Sequence, residues 1–224
     1  MKIAEIFYSI QGEGSLVGVP SVFVRSSGCN LRCVWCDTPY TSWRPEGADL
    51  SLDSILERVD AYKPARHVVL TGGEPMIARQ AVELTERLRA RGLHITIETA
   101  GTVFHSVACD LMSISPKLSH STPPGSWAAT HERLRLQPAV LLQLMRTYEY
   151  QLKFVVADPK DIEEIRSLLD QIDADRSKVI LMPEGIDPAI LHERAAWIAE
   201  ICKQEGFRFS PRLHVDLYGN TRGT

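Results

Sequence analysis

The sequence predicts an α/β fold, an open and partial βα barrel of six or seven parallel strands with covering helices. Short β-branched runs alternate with helical patterns along the chain, which is typical of parallel strands joined by right-handed crossovers. Six or seven units are too few for a closed barrel of eight strands, so the open barrel is favoured over a doubly wound sheet. With 224 residues, the chain is expected to form a single domain, residues 1–224.

The predicted strands are short runs rich in Val, Ile, Leu and Phe. They are Ser21–Arg25, His67–Thr71, His94–Glu98, Leu111–Ser115, Gln151–Val156 and Lys178–Met182, with Phe207–Ser210 as a short candidate for the seventh. Because these runs are nearly continuous apolar stretches, we expect helices to cover the sheet on both sides.

Four segments combine helical spacing of apolar residues with a residue suited to a helix end. They are Leu52–Ala61 after Ser51, Ala78–Arg91 before Gly92, Pro159–Gln171 after Asp158, and Ala189–Glu205 before Gly206. The segment Lys117–Arg135 contains Pro123-Pro124-Gly125 and predicts a long loop or insertion. His120 and His131 in this segment are expected to be solvated loop histidines rather than metal ligands.

Composition narrows the class of protein. The formal net charge is −3, which argues against a nucleic-acid-binding face, and no apolar run approaches the roughly 18 residues of a membrane span. The start of the chain, Met1–Glu5, lacks the apolar region of a signal peptide, so we expect a cytoplasmic protein with reduced thiols. Five cysteines are an odd number and do not suggest a disulfide framework. Cys109 and Cys202 are expected to be small buried side chains.

The remaining cysteines follow a tight spacing, Cys29-x3-Cys33-x2-Cys36. A structural zinc usually takes four ligands in two separated pairs, and no second pair stands nearby. Thiolates are the ligands of iron–sulfur clusters, and a 4Fe–4S cluster held by three cysteines keeps one iron open to a substrate or cofactor. The alternatives are three unrelated thiols in a loop and a non-catalytic zinc-binding interaction module.

Polar motifs follow the predicted strands, at the ends that form the functional face of α/β barrels. The motifs are Cys29–Cys36, Thr71–Pro75, Glu98–Gly101, Ser115–Lys117 and Met182–Gly185. Within them, Gly72-Gly73 can adopt positive φ and lets the backbone approach a ligand closely. The sequence therefore predicts one site at this edge of the sheet.

The cysteine spacing resembles the signature of the radical S-adenosylmethionine (SAM) superfamily. This resemblance implies that Cys29, Cys33 and Cys36 hold a 4Fe–4S cluster and that SAM binds its open iron. Gly73 and Glu74 would bind the methionine amino group of SAM. The further SAM contacts that the resemblance implies are Glu98, Ser115, Pro116 and Lys117, with Met182, Pro183, Glu184 and Gly185 at the adenine and ribose edge.

Other motifs resemble the 7-carboxy-7-deazaguanine synthase family, radical SAM lyases of queuosine and 7-deazapurine biosynthesis. They are Tyr8–Gly14, Phe23–Cys29, Cys36-Asp37-Thr38 and Arg212–Asn220, and the resemblance runs from Glu5 to the last residues. It implies conversion of 6-carboxy-5,6,7,8-tetrahydropterin to 7-carboxy-7-deazaguanine with loss of ammonia. The pterin is the small-molecule partner, and the family also implies a homodimer and an external one-electron donor such as a flavodoxin.

The resemblance also implies the substrate and magnesium residues. The substrate-binding residues would be Ile10, Gln11, Gly12, Glu13, Arg25, Thr71 and Thr224, the last through its carboxylate. Arg25 suits a substrate carboxylate because its guanidinium can bind both oxygens. Thr38 would ligate Mg²⁺, which prefers oxygen ligands and keeps several waters; alternatively, Thr38 merely caps the loop before Pro39. An activase that makes a glycyl radical on a partner protein is the alternative function, although it would not need Gln11–Gly14, Arg25 or Thr38.

Overall fold

The computed structural model describes residues 1–224 and contains nine strands in one sheet. The strands are β1 (Lys2–Ile10), β2 (Pro20–Ser26), β3 (Ala48–Asp49), β4 (His67–Gly72), β5 (His94–Thr99), β6 (Leu111–Ile114), β7 (Tyr150–Val156), β8 (Val179–Pro183) and β9 (Arg208–Phe209). Their order is β3-β1-β2-β4-β5-β6-β7-β8-β9, so β3 and β9 are the two edges. The seven strands β2 and β4–β9 pair in parallel, which confirms the predicted open barrel.

Eight α-helices connect and flank these strands. They are α1 (Pro39–Ser42), α2 (Leu52–Asp60), α3 (Ala81–Arg89), α4 (Ala128–Arg135), α5 (Pro138–Thr147), α6 (Asp161–Gln171), α7 (Pro188–Glu205) and α8 (Leu213–Tyr218). Local chemistry sets several of the ends: the Ser51 hydroxyl accepts from Ser54 N at the start of α2, and Gly206 closes α7 with φ of 73°. No helix combines the length and the apolar character that crossing a membrane requires.

The two faces of the sheet differ in chemistry. On each parallel strand except β9, alternate residues such as Val24, Leu70 and Ile97 belong to a core cluster of 36 buried residues that packs against the helices. The residues between them on the central strands, including Arg25 and Lys153, point to the opposite face. The expectation of helices on both sides was wrong, because a strand can carry Leu and Val toward helices while its intervening polar residues line a cavity.

Two further expectations need correction. β1 was not predicted, and it pairs antiparallel with β2 and β3 at one edge of the sheet. The segment Lys117–Arg135 is a loop only in its first part, because its last eight residues form α4. Its histidines are not solvated: His131 is fully buried, and His120 bonds both to Trp35 and to the Val155 carbonyl oxygen.

Candidate active site

A cavity of about 310 Å³ opens where the parallel strands end, within the size range of small-molecule sites. It gathers most of the residues singled out in the sequence, although they come from distant parts of the chain. Those in its lining are Ile10, Gln11, Gly12, Glu13, Arg25, Cys29, Cys33, Cys36, Thr38, Thr71, Gly73, Glu98, Ser115, Lys117, Met182, Glu184, Gly185 and Thr224. Glu74, Pro116 and Pro183 are not part of the lining.

The cysteine loop leaves the end of β2 and turns its three thiols toward this cavity. Leu31 N donates to Cys29 Sγ over 3.3 Å, and Trp43 Nε1 donates to the Cys33 carbonyl oxygen over 3.0 Å. Burial raises the pKa of Cys29 to about 12 and that of Cys33 to about 11. Binding of a positive charge such as iron would offset this effect of burial, because a metal favours the deprotonated ligand.

The donor set fits a 4Fe–4S cluster better than a single metal ion. No three His, Cys, Asp or Glu side chains converge closely enough to hold one ion. In a cubane each thiolate binds a different iron, so three sulfurs around one cavity wall need not converge on a point. Cys29, Cys33 and Cys36 are the residues that would hold such a cluster.

The glycine pair after β4 packs against the cysteine loop. Gly72 has φ of 132°, a conformation that favours glycine. A Cβ atom on Gly73 would lie 2.1 Å from the Gly28 carbonyl oxygen, so a side chain there would collide with the start of the loop. Glu74 N donates to that same oxygen over 2.9 Å. Gly73 thus lets two segments about 45 residues apart in sequence form one wall of the cavity.

The Glu74 side chain differs from the expectation. Its carboxylate is buried and accepts hydrogen bonds from Met76 N, Thr99 Oγ1 and Ala100 N, at 3.0, 2.8 and 2.8 Å. A carboxylate with three protein donors holds the β4 and β5 ends together. The carboxylate is therefore occupied within the protein, and a contact between Glu74 and SAM stays a prediction.

Charged residues form a network across the floor of the cavity. Lys153 on β7 is 3% exposed and donates to Glu13 Oε2 over 2.6 Å and to Glu98 Oε2 over 2.9 Å. Gln11 Nε2 donates to the other oxygen of Glu98 over 3.3 Å. Glu98, expected on the SAM side, therefore shares one network with residues expected to bind the substrate.

Arg212 extends this network to the cysteine loop. Its guanidinium donates to Glu13 Oε1 over 3.1 Å and pairs with Asp37, next to Cys36. Burial opposes ionisation of Glu13, but the cations of Lys153 and Arg212 outweigh it and hold the pKa of Glu13 far below its usual range. For the same reasons, the pKa values of Lys153 and Arg212 are raised despite their burial. Glu13, Lys153 and Arg212 are therefore charged at neutral pH.

Two of the family-like motifs meet at this point although they lie about 200 residues apart. Leu213 N donates to the Gly12 carbonyl oxygen over 2.9 Å, beside the ion pair of Glu13 and Arg212. A Cβ atom on Gly12 would lie 1.9 Å from His214 Nδ1, so glycine at this position makes room for the imidazole. The N-terminal and C-terminal motifs form one wall.

Arg25 lies on β2 directly beside Thr71 of β4, and both face the cavity. Arg25 Nε donates to Glu5 Oε1 over 2.7 Å, and its guanidinium lies over the Phe7 ring at 5.6 Å. No hydrogen bond within the protein uses its two terminal nitrogens. These form the guanidinium edge that can bind both oxygens of a carboxylate.

Thr38 stands at the N-cap of α1, but its side chain makes no capping hydrogen bond. The Thr41 hydroxyl lies 2.9 Å from the Thr38 carbonyl oxygen and 3.4 Å from the Thr38 hydroxyl oxygen, and Cys36 Sγ lies 3.9 Å from that same hydroxyl, which is part of the cavity lining. The structure gives no support to a purely capping role, and magnesium binding by Thr38 stays a prediction.

Three other expected contacts are partly engaged within the protein. Lys117 Nζ donates to Ser115 Oγ over 2.7 Å, and the Glu184 carboxylate pairs with Arg194 on α7. Thr224 lies in the lining beside Arg222, whose guanidinium covers the Tyr40 ring at 4.1 Å. The last residues of the chain thus lie at the rim of the cavity.

Lys153 and Glu5 are not among the site residues that the sequence predicts, and Asp37 and Arg212 stand in family-like motifs without an assigned role. Lys153 left a weak signal, since it is a lysine inside the apolar run of β7. The roles of Asp37 and Glu5 depend on ion pairs with Arg212 and Arg25, which are far away in sequence, so local patterns do not reveal them.

The fold and the cysteine loop define this chain as a radical SAM protein, and the family model described as the radical SAM superfamily matches residues 23–120. A 7-carboxy-7-deazaguanine synthase of Halobacterium salinarum is 48% identical over 100% of this chain and 93% of its own. One of Rhodopirellula baltica is 44% identical over 100% and 89%. The crystal structure of QueE from Escherichia coli superposes with a TM-score of 0.71 at 28% identity, covering 95% of this chain and 94% of that one. The chain therefore belongs to the 7-carboxy-7-deazaguanine synthase family.

Proposed function

We propose that this protein is a radical SAM lyase that converts 6-carboxy-5,6,7,8-tetrahydropterin to 7-carboxy-7-deazaguanine with loss of ammonia. It serves queuosine or another 7-deazapurine pathway and works as a single radical SAM domain over residues 1–224. The observation that carries the proposal is a single cavity lined both by the three cysteines and by Gln11, Arg25 and Thr71. Family membership favours this reaction over the glycyl-radical activase.

Different residues of the cavity suit different parts of the substrate. The free guanidinium edge of Arg25 binds the substrate carboxylate. Glu13 stays ionised because its pKa is held far below the usual range by Lys153 and Arg212 against the effect of burial, so it can accept from the N–H groups of the pterin edge. Gln11 is held by Glu98 and positions the ring. Ile10, Gly12, Thr71 and Thr224 complete the proposed substrate site.

SAM binds on the side of the cysteine loop. The proposed contacts are Gly73, Glu74, Glu98, Ser115, Pro116, Lys117, Met182, Pro183, Glu184 and Gly185. When bound, the cluster and SAM supply the radical that starts the reaction. The protein orients the substrate and excludes water. Lys153 remains a fixed cation because two carboxylates raise its pKa against burial, so it holds its proton rather than accepting one.

The deciding experiment is anaerobic incubation of the reconstituted protein with SAM, a reductant and the carboxytetrahydropterin. We expect 7-carboxy-7-deazaguanine by mass spectrometry, and none from the Cys33→Ala variant. If SAM is cleaved reductively but this product is absent, the protein is still a radical SAM enzyme, and the proposed substrate is wrong.

We also propose that Thr38 ligates Mg²⁺ together with oxygens of the substrate. Thr38→Val keeps the shape but deletes the ligand oxygen, whereas Thr38→Ser retains a hydroxyl. Added magnesium should stimulate the native protein and the Ser variant several-fold and the Val variant much less. Cluster content should be unchanged in all three. Equal stimulation of the native protein and the Val variant would remove Thr38 from the metal site.

Three finer assignments rest on the family resemblance. We propose a homodimer, testable by light scattering, and a cytoplasmic location. We also propose an external one-electron donor such as a flavodoxin. The external donor is supported by the exposure of Val34, which lies between two of the cysteines and is 55% exposed. A partner can therefore approach the loop closely.

A further inference from the structure

We propose that the segment Leu118–Arg135 is a clamp that sets the backbone of the cysteine loop, with His131 as its central acceptor. Because the clamp matters only if a cluster binds these cysteines, this inference rests on the proposed function. It assigns a positioning role to a segment that the sequence suggested was a loop or insertion.

The clamp holds the loop once in each interval between cysteines. Arg32, between Cys29 and Cys33, donates its backbone N–H to His131 Nδ1 over 3.1 Å. Val34, between Cys33 and Cys36, donates its backbone N–H to the Ser121 carbonyl oxygen over 2.9 Å. Both intervals of the motif are therefore tied to the same segment.

Side chains of the loop add two further contacts. Trp35 Nε1 donates to His120 Nδ1 over 3.0 Å. The Arg32 guanidinium lies over the Trp127 ring at 4.3 Å, while one of its nitrogens donates to the carbonyl oxygens of Cys29 and Leu31, each at 2.7 Å. The loop thus uses backbone, aromatic and cationic groups against one partner segment.

These bonds define the tautomer of both imidazoles, that is, which ring nitrogen carries the hydrogen. His131 Nδ1 accepts, so its hydrogen is on Nε2 and is donated to Ser121 Oγ over 2.9 Å. The Ser121 hydroxyl donates in turn to the Leu118 carbonyl oxygen over 2.7 Å. By the same reasoning, His120 accepts through Nδ1 and donates from Nε2 to the Val155 carbonyl oxygen over 3.2 Å. His120 thus links the cysteine loop to β7, whereas His131 links the loop to Ser121 within the clamp.

The burial pattern of α4 shows that this helix does not serve the hydrophobic core. Its only buried residues are His131 and Arg135, and both are polar. Arg135 donates to the Lys117 carbonyl oxygen over 3.0 Å and pairs with Glu164. His131 therefore holds the cysteine loop, and Arg135 holds the backbone of Lys117, a proposed SAM contact.

A pair of substitutions at residue 131 separates this role from simple packing. Asn places an amide oxygen where His131 Nδ1 now accepts, whereas Gln reaches only the Nε2 position and leaves Arg32 N–H without an acceptor. Intrinsic helix propensity ranks Gln above Asn, so a merely structural effect would order the variants the other way.

The test uses full-length protein reconstituted anaerobically with iron and sulfide. We expect His131→Asn to retain near-native iron and the same electron paramagnetic resonance spectrum after reduction. His131→Gln should lose its cluster to a chelator on the order of 10-fold faster, as for other residues that position metal ligands. Thermal unfolding of the apoproteins measures any general loss of stability, and the rates of cluster loss are compared at a temperature at which both apoproteins are folded. The clamp is refuted if Gln retains the cluster like the native protein, or if Asn loses it as fast as Gln.

His120→Asn and His120→Gln form a second pair with the same logic, in case residue 131 does not tolerate replacement. Asn preserves the acceptor for Trp35 Nε1, and Gln does not. His192→Gln, at an exposed position of α7, controls for the loss of an imidazole. Failure of the native protein itself to bind a cluster would overturn the proposed function. If the native protein binds a cluster and the His131 and His120 variants retain it equally well, the clamp is refuted and the proposed function stands.

Discussion

Arg25 divides its guanidinium between Glu5 and the cavity, and this division makes it hard to replace. A lysine at this position has one ammonium group, which cannot both keep Glu5 and grip two oxygens of a substrate carboxylate. For Arg25→Lys we expect a raised KM and a loss of about 2–4 kcal/mol of transition-state stabilisation. This corresponds to roughly 30- to 900-fold in kcat/KM. Uncoupled SAM cleavage should persist.

The matched control is Arg222→Lys. Arg222 also contacts Glu5, but its side chain is 47% exposed, so solvent screens the pair. Its kcat/KM should change much less than that of Arg25→Lys. Unchanged steady-state kinetics in Arg25→Lys would exclude this residue from the substrate site.

Lys153 is the cation on which the floor of the cavity depends. Lys153→Met conserves much of the side-chain volume but leaves Glu13 and Glu98 without the ammonium group between them. Breaking a buried pair in this way should lower the free energy of unfolding by about 3–5 kcal/mol. Lys178→Met removes a more exposed partner of Glu149 and should cost about 0–1 kcal/mol. Urea unfolding of both apoprotein variants measures the difference, and similar losses would contradict a buried network.

The same network predicts a dependence of stability on acid. The folded-state pKa of Glu13 is depressed because Lys153 and Arg212 outweigh burial, so its contribution is present above the unfolded pKa of about 4.3 and is lost as pH falls further. Between about pH 5 and pH 3, the native protein should lose stability more steeply than Lys153→Met, because the pKa of Glu13 is less depressed in that variant. Equal slopes in urea unfolding would show that Lys153 does not set the ionisation of Glu13.

At the scale of elements, the five cysteines fall into two groups according to the part of the fold that carries them. Cys29, Cys33 and Cys36 lie on the loop after β2, whereas Cys109 precedes β6 and Cys202 lies on α7. The last two thiols contact the carbonyl oxygens of Ile95 and Arg208, at 3.7 and 3.4 Å. Alanine at any loop position should abolish iron binding and SAM cleavage, while alanine at 109 or 202 should leave iron per chain near native. Iron loss from Cys109→Ala would overturn the ligand assignment.

Elements with a strong local pattern were predictable, and elements set by their partners were not. The parallel strands β2, β4 and β5 followed their β-branched runs to within about two residues. In contrast, α4 lacks an apolar stripe because its buried face binds polar groups of the cysteine loop, so periodicity could not reveal it. Likewise, β1 adds to an existing sheet edge, where pairing partners matter more than intrinsic preference.

At the scale of the whole molecule, net charge conceals the local field near the loop. The chain carries −3, yet three arginines make no ion pair within the protein: Arg32 on the cysteine loop, Arg44 eight residues beyond Cys36, and Arg79 shortly after the glycine pair. Unpaired arginines favour encounter with an acidic partner, because charge complementarity raises the rate of association. The flavodoxin proposed above as electron donor would be such a partner.

Reversing two of these charges tests that expectation. Arg44→Glu combined with Arg79→Glu should slow reduction of the cluster by flavodoxin on the order of 10-fold at low salt, with less effect at high salt. Reduction by dithionite should be unaffected. Arg146→Glu, on the exposed side of α5, makes a matched control for charge reversal. The expectation fails if this control slows the flavodoxin reaction as much as the double variant.

By itself, the sequence determined features that act over a few residues: the cysteine spacing, the glycine pair after β4, the strand runs and the caps of α2 and α7. Most of the site residues that the resemblance implied also lie in the cavity lining. Only the tertiary structure decided how those residues combine. Lys153 meets Glu13 across 140 positions, Arg212 meets Glu13 across 199, and His131 meets Arg32 across 99. Such partners depend on how the barrel brings distant strand ends together, because local propensity says how a segment folds but not which buried charge or hydrogen-bond donor will stand beside it.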